Sequence, residues 1–173
     1  MMKKRSILSV LAVTAAVLAF IPSRPSAAEG VAWTRYADGM ARAKKLRKPV
    51  VVDFYASWCH WCKVMDRTTF ADRKVVARLA ADYVAVRIDM ESPSPITVKG
   101  HSLSPQEYAA MLGVTGLPSV AFLSKEGEVV TVVPGYLEAD TFLPLLGYIR
   151  DECYLKKVSF KDYRDRKTDC GKK

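Results

Sequence analysis

"VVVDFYASWCHWCKVM", residues 50–65, joins a run of β-branched residues to a pair of cysteines. Val50 to Tyr55 is short and apolar, the pattern of a strand covered on both faces of a sheet. Asp53 interrupts it, and a carboxyl there is costly unless it is partnered or neutral. The segment then opens a helix, with Trp61, Val64, Met65 and Thr68 along one face. Cys59 and Cys62 sit where strand gives way to helix, each directly after a tryptophan.

Such a thiol pair admits four uses. A c-type haem site needs histidine straight after the second cysteine, and Lys63 stands there. A structural zinc site takes four ligands, usually as two clustered pairs, but Cys153 and Cys170 are far apart in the chain. No metal and no cofactor is therefore expected. A purely structural bridge this tight closes almost no loop and constrains the unfolded chain little. Redox exchange fits best. At a helix start, unpaired N–H groups and the positive end of the helix dipole favour a thiolate at Cys59. The thiolate is the attacking species in disulfide exchange, and Cys62, one turn on, is placed to resolve the mixed disulfide.

Outward from this segment, "VAWTRYADGMARAKKLRKP" reads as an amphipathic helix carrying Trp33, Tyr36, Met40, Ala43 and Leu46 on one face, ended by Pro49. "DRKVVARLAADY" is a helix capped by Asp72, and "YVAVRID" is a second strand. Residues 91–103, rich in Pro, Ser and Gly, read as a loop. Ser104, Pro105 and Glu107 form a cap, a first-turn proline and a capping box for a helix through Leu112. "PSVAFL" and "EVVTVV" flank "SKEG" as a hairpin. A last helix runs from about Glu138 to Tyr148, with a kink expected at Pro144. Alternating strands and helices ending in a hairpin describe an α/β fold with a mixed sheet.

The first residues carry an address. Lys3, Lys4 and Arg5 precede an uncharged apolar run from Ile7 to Ile21, and small residues at Ser26 and Ala28 suit cleavage near Ala28. The run is shorter than the roughly 20 residues of a membrane span. Residues 1–28 thus read as a signal peptide and the protein as exported, in a periplasm or its equivalent. The remaining 145 residues suffice for one domain. We divide them into a domain at 29–152 and a basic extension at 153–173. The tail from residue 156 holds eight basic residues against three acids, while residues 29–155 are balanced. A basic tail can touch anionic lipid or nucleic acid, but a solvated, partly ordered tail is the preferred reading, and nothing else points to nucleic acid.

The motifs together resemble the thioredoxin-like family. "VVVDFYASWCHWCK" is similar to the thioredoxin active-site segment, with an aspartate six residues before the first cysteine. "GVTGLPSVAFLSKEGEVV" resembles the segment that carries a cis-proline opposite the cysteines and leads into the terminal hairpin; Pro118 and Gly135 match its proline and the later glycine. "CHWCKVM", the preceding "KP" and the following "GYL" look like the exported branch, which includes thioredoxins of bacterial sulfur oxidation and the C-terminal domain of DsbD.

The resemblance implies a thioredoxin fold, with helices on both faces of a central mixed sheet, an extra N-terminal helix and the basic C-terminal extension. It implies Cys59 as nucleophile, Cys62 as resolving thiol and Asp53 as the buried carboxyl that handles the Cys62 proton. A satisfied core carboxyl is the alternative for Asp53. Leu117 and Pro118 would bind a substrate strand, and Trp58 would offer partners an apolar surface. Trp61 suits that surface or the core equally. His60 either supports the Cys59 thiolate when protonated or is a bystander. Many relatives carry a lysine facing the buried aspartate from the next strand; counting back from Ile88 and Asp89 puts Ala85 there, with Arg87 two positions on.

The expected activity is reduction of disulfides in partner proteins by a monomer recharged from a membrane electron donor of the DsbD type. A disulfide-forming oxidase or isomerase is one alternative. A docking module for metal or apo-cytochrome is another. Export also allows a structural bridge between Cys153 and Cys170, with free thiols or an interchain bridge as the other outcomes.

Overall fold

The computed structural model describes residues 30–166 and 170, so the expected signal peptide, residues 1–28, lies outside the described residues. Val50–Tyr55 forms β1 and Val84–Asp89 forms β2. The two are parallel, in a register that sets Val50 level with Val84 and Asp53 level with Arg87. On the other side of β1, Ser119–Leu123 (β5) runs antiparallel, followed by Val129–Pro134 (β6), giving the order β2-β1-β5-β6. β1 is thus an interior strand, and Val50, Val51, Val52 and Phe54 have no exposed surface. Burying each such side chain contributes about 1.5–3 kcal/mol.

Strand alternation divides the core in two. Val50, Val52 and Phe54 meet Val86, Ala43, Tyr108 and Ala109 on one face. That face carries Tyr36–Leu46 (α1) and Pro105–Met111 (α4). Val51 packs on the opposite face with Met65, Phe70, Val75, Leu79, Phe142 and Leu146. Here lie His60–Arg67 (α2), Arg73–Asp82 (α3) and Ala139–Arg150 (α5), with Pro144 inside α5. Asp72 caps α3 through the N–H groups of Lys74 and Val75, and Ser104 and Glu107 form the capping box of α4. Among the described residues no helix is long and apolar enough to cross a membrane.

Three stretches differ from the sequence reading. Trp33 does not belong to the first helix: α1 begins at Tyr36, and the residues before it run alongside β2. Thr34 forms a parallel bridge with Val86, donating its N–H to Ala85 O at 2.9 Å and accepting the Arg87 N–H at 3.0 Å. The apolar period could not separate these two states, because Trp33 is inward-facing in either. Gly39 lets α1 lie this close, since a Cβ there would overlap Val86 and Thr34.

The second difference lies in residues 91–103, which hold the hairpin Ile96–Val98 (β3) and His101–Leu103 (β4) rather than a bare loop. Lys99 and Gly100 both have positive φ, the backbone of a tight two-residue turn. The third is the extension. Residues Cys153–Lys156 form a 3₁₀ turn and Phe160–Arg164 a short helix, α6. Phe160 and Tyr163 both place their rings 5.6 Å from that of Tyr148 on α5. Tyr148 also donates its hydroxyl to Val158 O at 2.7 Å.

Candidate active site

The chain leaves the C-terminal end of β1 through Ala56, Ser57 and Trp58 and enters α2 at Cys59. Cys59 is the N-cap: its backbone is extended and its Sγ accepts the Cys62 N–H at 3.1 Å. The spacing of one turn brings the two α-carbons to 5.3 Å, and the sulfurs are joined in a disulfide. Both cysteines are buried, packed with Ala56 and flanked by Tyr55, Met90 and Leu117.

The turn before them is held by the residues that follow β2. The Ser57 N–H donates to Glu91 Oε2 at 2.7 Å, and hydrogen bonding from the Ser57 side chain, then from its backbone, holds the Glu91 carboxyl below its ordinary range. The Met90 N–H donates to Tyr55 O at 2.9 Å. The Gln106 amide in turn donates to Met90 O, tying α4 to the same corner.

Opposite the pair, the Leu117–Pro118 peptide bond is cis. Pro118 O accepts the Gly135 N–H at 2.8 Å, and Ser119 Oγ donates to Gly116 O at 2.7 Å. Leu117 thereby lies against the cysteines, whereas the indoles face outward. Trp58 is 69% exposed and Trp61 55%, which excludes the core role that helical spacing allowed for Trp61. The Trp61 ring contacts His60 at 5.7 Å and Tyr136 at 5.6 Å, while the Tyr136 hydroxyl meets Thr68 Oγ1 at 3.0 Å.

Asp53 lies under α2 and is 2% exposed. Burial raises its pKa to about 6, against the opposing pull of Arg87. Arg87 Nε donates to Asp53 Oδ2 at 2.8 Å, and its Nη2 donates to Asp66 on α2. The guanidinium carbon stands 4.4 Å from the centre of the Trp33 ring and 4.8 Å from that of Tyr55. Phe70 closes the surround at 5.8 Å.

Strand register corrects the expected partner of Asp53. Ala85 is level with Val51, and it is Arg87 that is level with Asp53. Residues 85 and 87 share a face of β2, so counting along the strand could not choose between them; only the pairing register does. Asp66, Trp33, Tyr136 and Glu91 were likewise missed. The one available signal was a charge, Arg87, inside an otherwise apolar strand.

Cys153 and Cys170 form a second disulfide, within the C-terminal extension. Among the described residues no group of three or more His, Cys, Asp or Glu side chains is placed to hold a metal ion.

A buried strand, a helix capped by its own cysteine and a proline loop across from it define a thiol–disulfide exchange site. Residues 36–150 match the family model described as thioredoxin-like domain, and the chain belongs to that family. It is 32% identical to the thiol:disulfide interchange protein DsbD of Yersinia enterocolitica over 133 residues, covering 70% of this chain and 21% of that protein. The chain therefore spans about a fifth of that relative.

Among solved structures, it resembles the oxidised C-terminal domain of Neisseria meningitidis DsbD at 25% identity and a TM-score of 0.53, covering 65% of this chain and 90% of that one. It also resembles a Thermus thermophilus thioredoxin at 27% identity and a TM-score of 0.55, covering 68% and 85%. The protein is a thioredoxin-like thiol–disulfide oxidoreductase whose Cys59–Cys62 pair stands at disulfide distance.

Proposed function

We propose that this protein is an exported reductant of protein disulfides. Cys59 is the nucleophile, Cys62 the resolving thiol and Asp53 the group that receives the Cys62 proton. The Cys59 thiolate attacks one sulfur of a partner disulfide, whose bond breaks and releases a partner thiolate. Cys62 then loses its proton to Asp53 and attacks Cys59 Sγ. The Cys59–Cys62 disulfide forms and the second partner thiolate leaves. Two electrons have passed from the dithiol to the partner. The exposed Trp58 and Trp61 offer the partner an apolar platform beside the pair, with His60 between them. The backbone at Leu117 and Pro118 lies across the groove from it.

Asp53 carries the reading of direction. A strong oxidant needs its reduced thiolate stabilised, yet the most deeply buried ionisable group under α2 is a carboxyl. Its negative form opposes a thiolate nearby and so favours transfer of electrons outward. Likeness to the DsbD C-terminal domain supports a membrane donor of the DsbD type as the source of those electrons.

Equilibration with graded dithiol buffers and mass-labelling of Cys59 and Cys62 tests the direction. A potential near the thioredoxin value of about −270 mV is expected. A value near about −120 mV makes the protein a disulfide-forming oxidase instead.

A further inference from the structure

Among the described residues, Arg87 is the guanidinium that bridges Asp53, beneath α2, and Asp66, on α2. We propose that Arg87 is the positioning residue for proton transfer at the Cys59–Cys62 site. Its guanidinium, boxed by Trp33, Tyr55 and Phe70, is shared between Asp53 and Asp66. Asp53 can then gain and lose the Cys62 proton without leaving the cation unpaired. This rests on the reading of Asp53 as the acceptor of that proton.

The geometry divides the labour. Arginine stays charged throughout and carries no proton itself. Three aromatic rings flank its carbon, leaving the N–H edges for the carboxylates. Nε serves Asp53 alone, while Nη2 and, at 3.5 Å, Nη1 serve Asp66. Asp53 is 2% exposed, whereas the Asp66 side chain is 38% exposed and keeps part of its hydration. When Asp53 is protonated, Asp66 still neutralises Arg87; when Asp53 is ionised, both share it. A single buried Asp–Arg pair lacks this property, because protonating the acid strands the base.

Each charged neighbour of Asp53 acts in a defined direction. Arg87 on β2 lowers its pKa and Asp66 on α2 raises it. Tyr55 on β1, itself held above its ordinary range by burial and by Asp89 of β2, stays neutral. From β5, the level residue is the apolar Val120. The Cys62 thiol joins this set once the disulfide is reduced.

Stopped-flow reaction of the reduced protein with 5,5′-dithiobis(2-nitrobenzoate) separates attack from resolution. The first release of thionitrobenzoate reports Cys59, and the second reports Cys62 closing the disulfide. Arg87→Gln should move the midpoint of the second phase up in pH by roughly one unit or more. Asp66→Asn should move it down. Both shifts should vanish in an Asp53→Asn background, and Arg87→Lys should bring the midpoint part of the way back.

Shifts in the same direction, or shifts that persist without Asp53, would overturn the proposal, because general loosening has no reason to act with opposite signs. Should Arg87→Gln fail to fold, the half-exposed Asp66 carries the test alone. If Asp53→Asn leaves the second phase unchanged, the role of Asp53 itself is wrong and this inference falls with it. If Asp53→Asn alters that phase while the Arg87 and Asp66 variants do not, only the shared-cation inference is overturned.

Discussion

Cys59–Cys62 joins residues three positions apart, and Cys153–Cys170 joins residues 17 apart. All four cysteines are buried, at 4%, 5%, 0% and 5% exposure, so burial does not separate the two bridges. Their surroundings do. The first caps a helix, accepts an N–H and lies between exposed indoles and a buried acid. The second stitches the extension back beside α5, where Tyr148, Phe160 and Tyr163 pack together and Lys156 donates to Cys170 O at 3.0 Å. In the chain-entropy estimate the ring of 18 residues is worth about 3 kcal/mol. One bond is placed to react and the other to restrain.

The largest expected effect separates them outright. Cys59→Ser should abolish reduction of insulin by the protein, and Cys62→Ser should accumulate mixed disulfides with partner proteins. The double variant Cys153→Ser/Cys170→Ser should reduce insulin at the wild-type rate. Turbidity assays and non-reducing gels read both outcomes. Loss of turnover in the double variant would erase the distinction.

The same double variant should lose about 3 kcal/mol of stability. Urea denaturation in the absence of reductant measures this. An unchanged midpoint would mean that the packing of α6 on α5 holds the extension without the bond.

Legibility in the sequence followed the same division. The reactive bridge was readable because strand, turn and helix signals converge on one consecutive stretch, residues 50–65, and local physics dictates each. The second bridge left its pairing open, since nothing between Cys153 and Cys170 has a period that fixes a fold. Arg87 shows a different limit. Its identity and strand were legible, but its partner depended on register, a long-range quantity that alternation leaves ambiguous by two residues. The β3–β4 hairpin was hidden by composition: Pro, Ser and Gly around it read as loop, although Val98-Lys99-Gly100-His101 holds a two-residue turn.

Asp53 supplies a pH-dependent contrast that the second bridge should lack. Its pKa in the folded protein is about 6 against an ordinary 3.8. The protonated form is therefore the one the fold prefers. The stabilisation from holding it neutral is complete below pH 3.8 and is lost as pH rises through about 6. A shift of about two units corresponds to about 3 kcal/mol as an upper bound. Asp53→Asn should then be more stable than wild type at pH 8 by up to that amount, with the advantage gone near pH 4. Denaturant titrations at the two pH values check it. Equal advantage at both would assign the gain to packing rather than ionisation.

The smallest effects belong to one aromatic side chain in the region of each bridge. Tyr148 turns inward, and Tyr148→Phe removes the hydrogen bond to Val158 O while keeping the ring contacts with Phe160 and Tyr163. A loss of about 1 kcal/mol is expected, with no change in insulin reduction. Trp61 turns outward beside the reactive pair, and among the described residues its ring contacts are with Tyr136 and its own neighbour His60. Trp61→Ala should alter stability by no more than about 0.5 kcal/mol, as surface substitutions usually do. Its reaction with a small disulfide reagent should be unchanged, because the Cys59 cap and Asp53 are untouched. Its reduction of insulin should fall, because a protein substrate needs an apolar surface to rest on before exchange. Equal loss on both substrates would mean that Trp61 shapes the cysteines rather than the partner, and the two aromatics would then differ only in exposure.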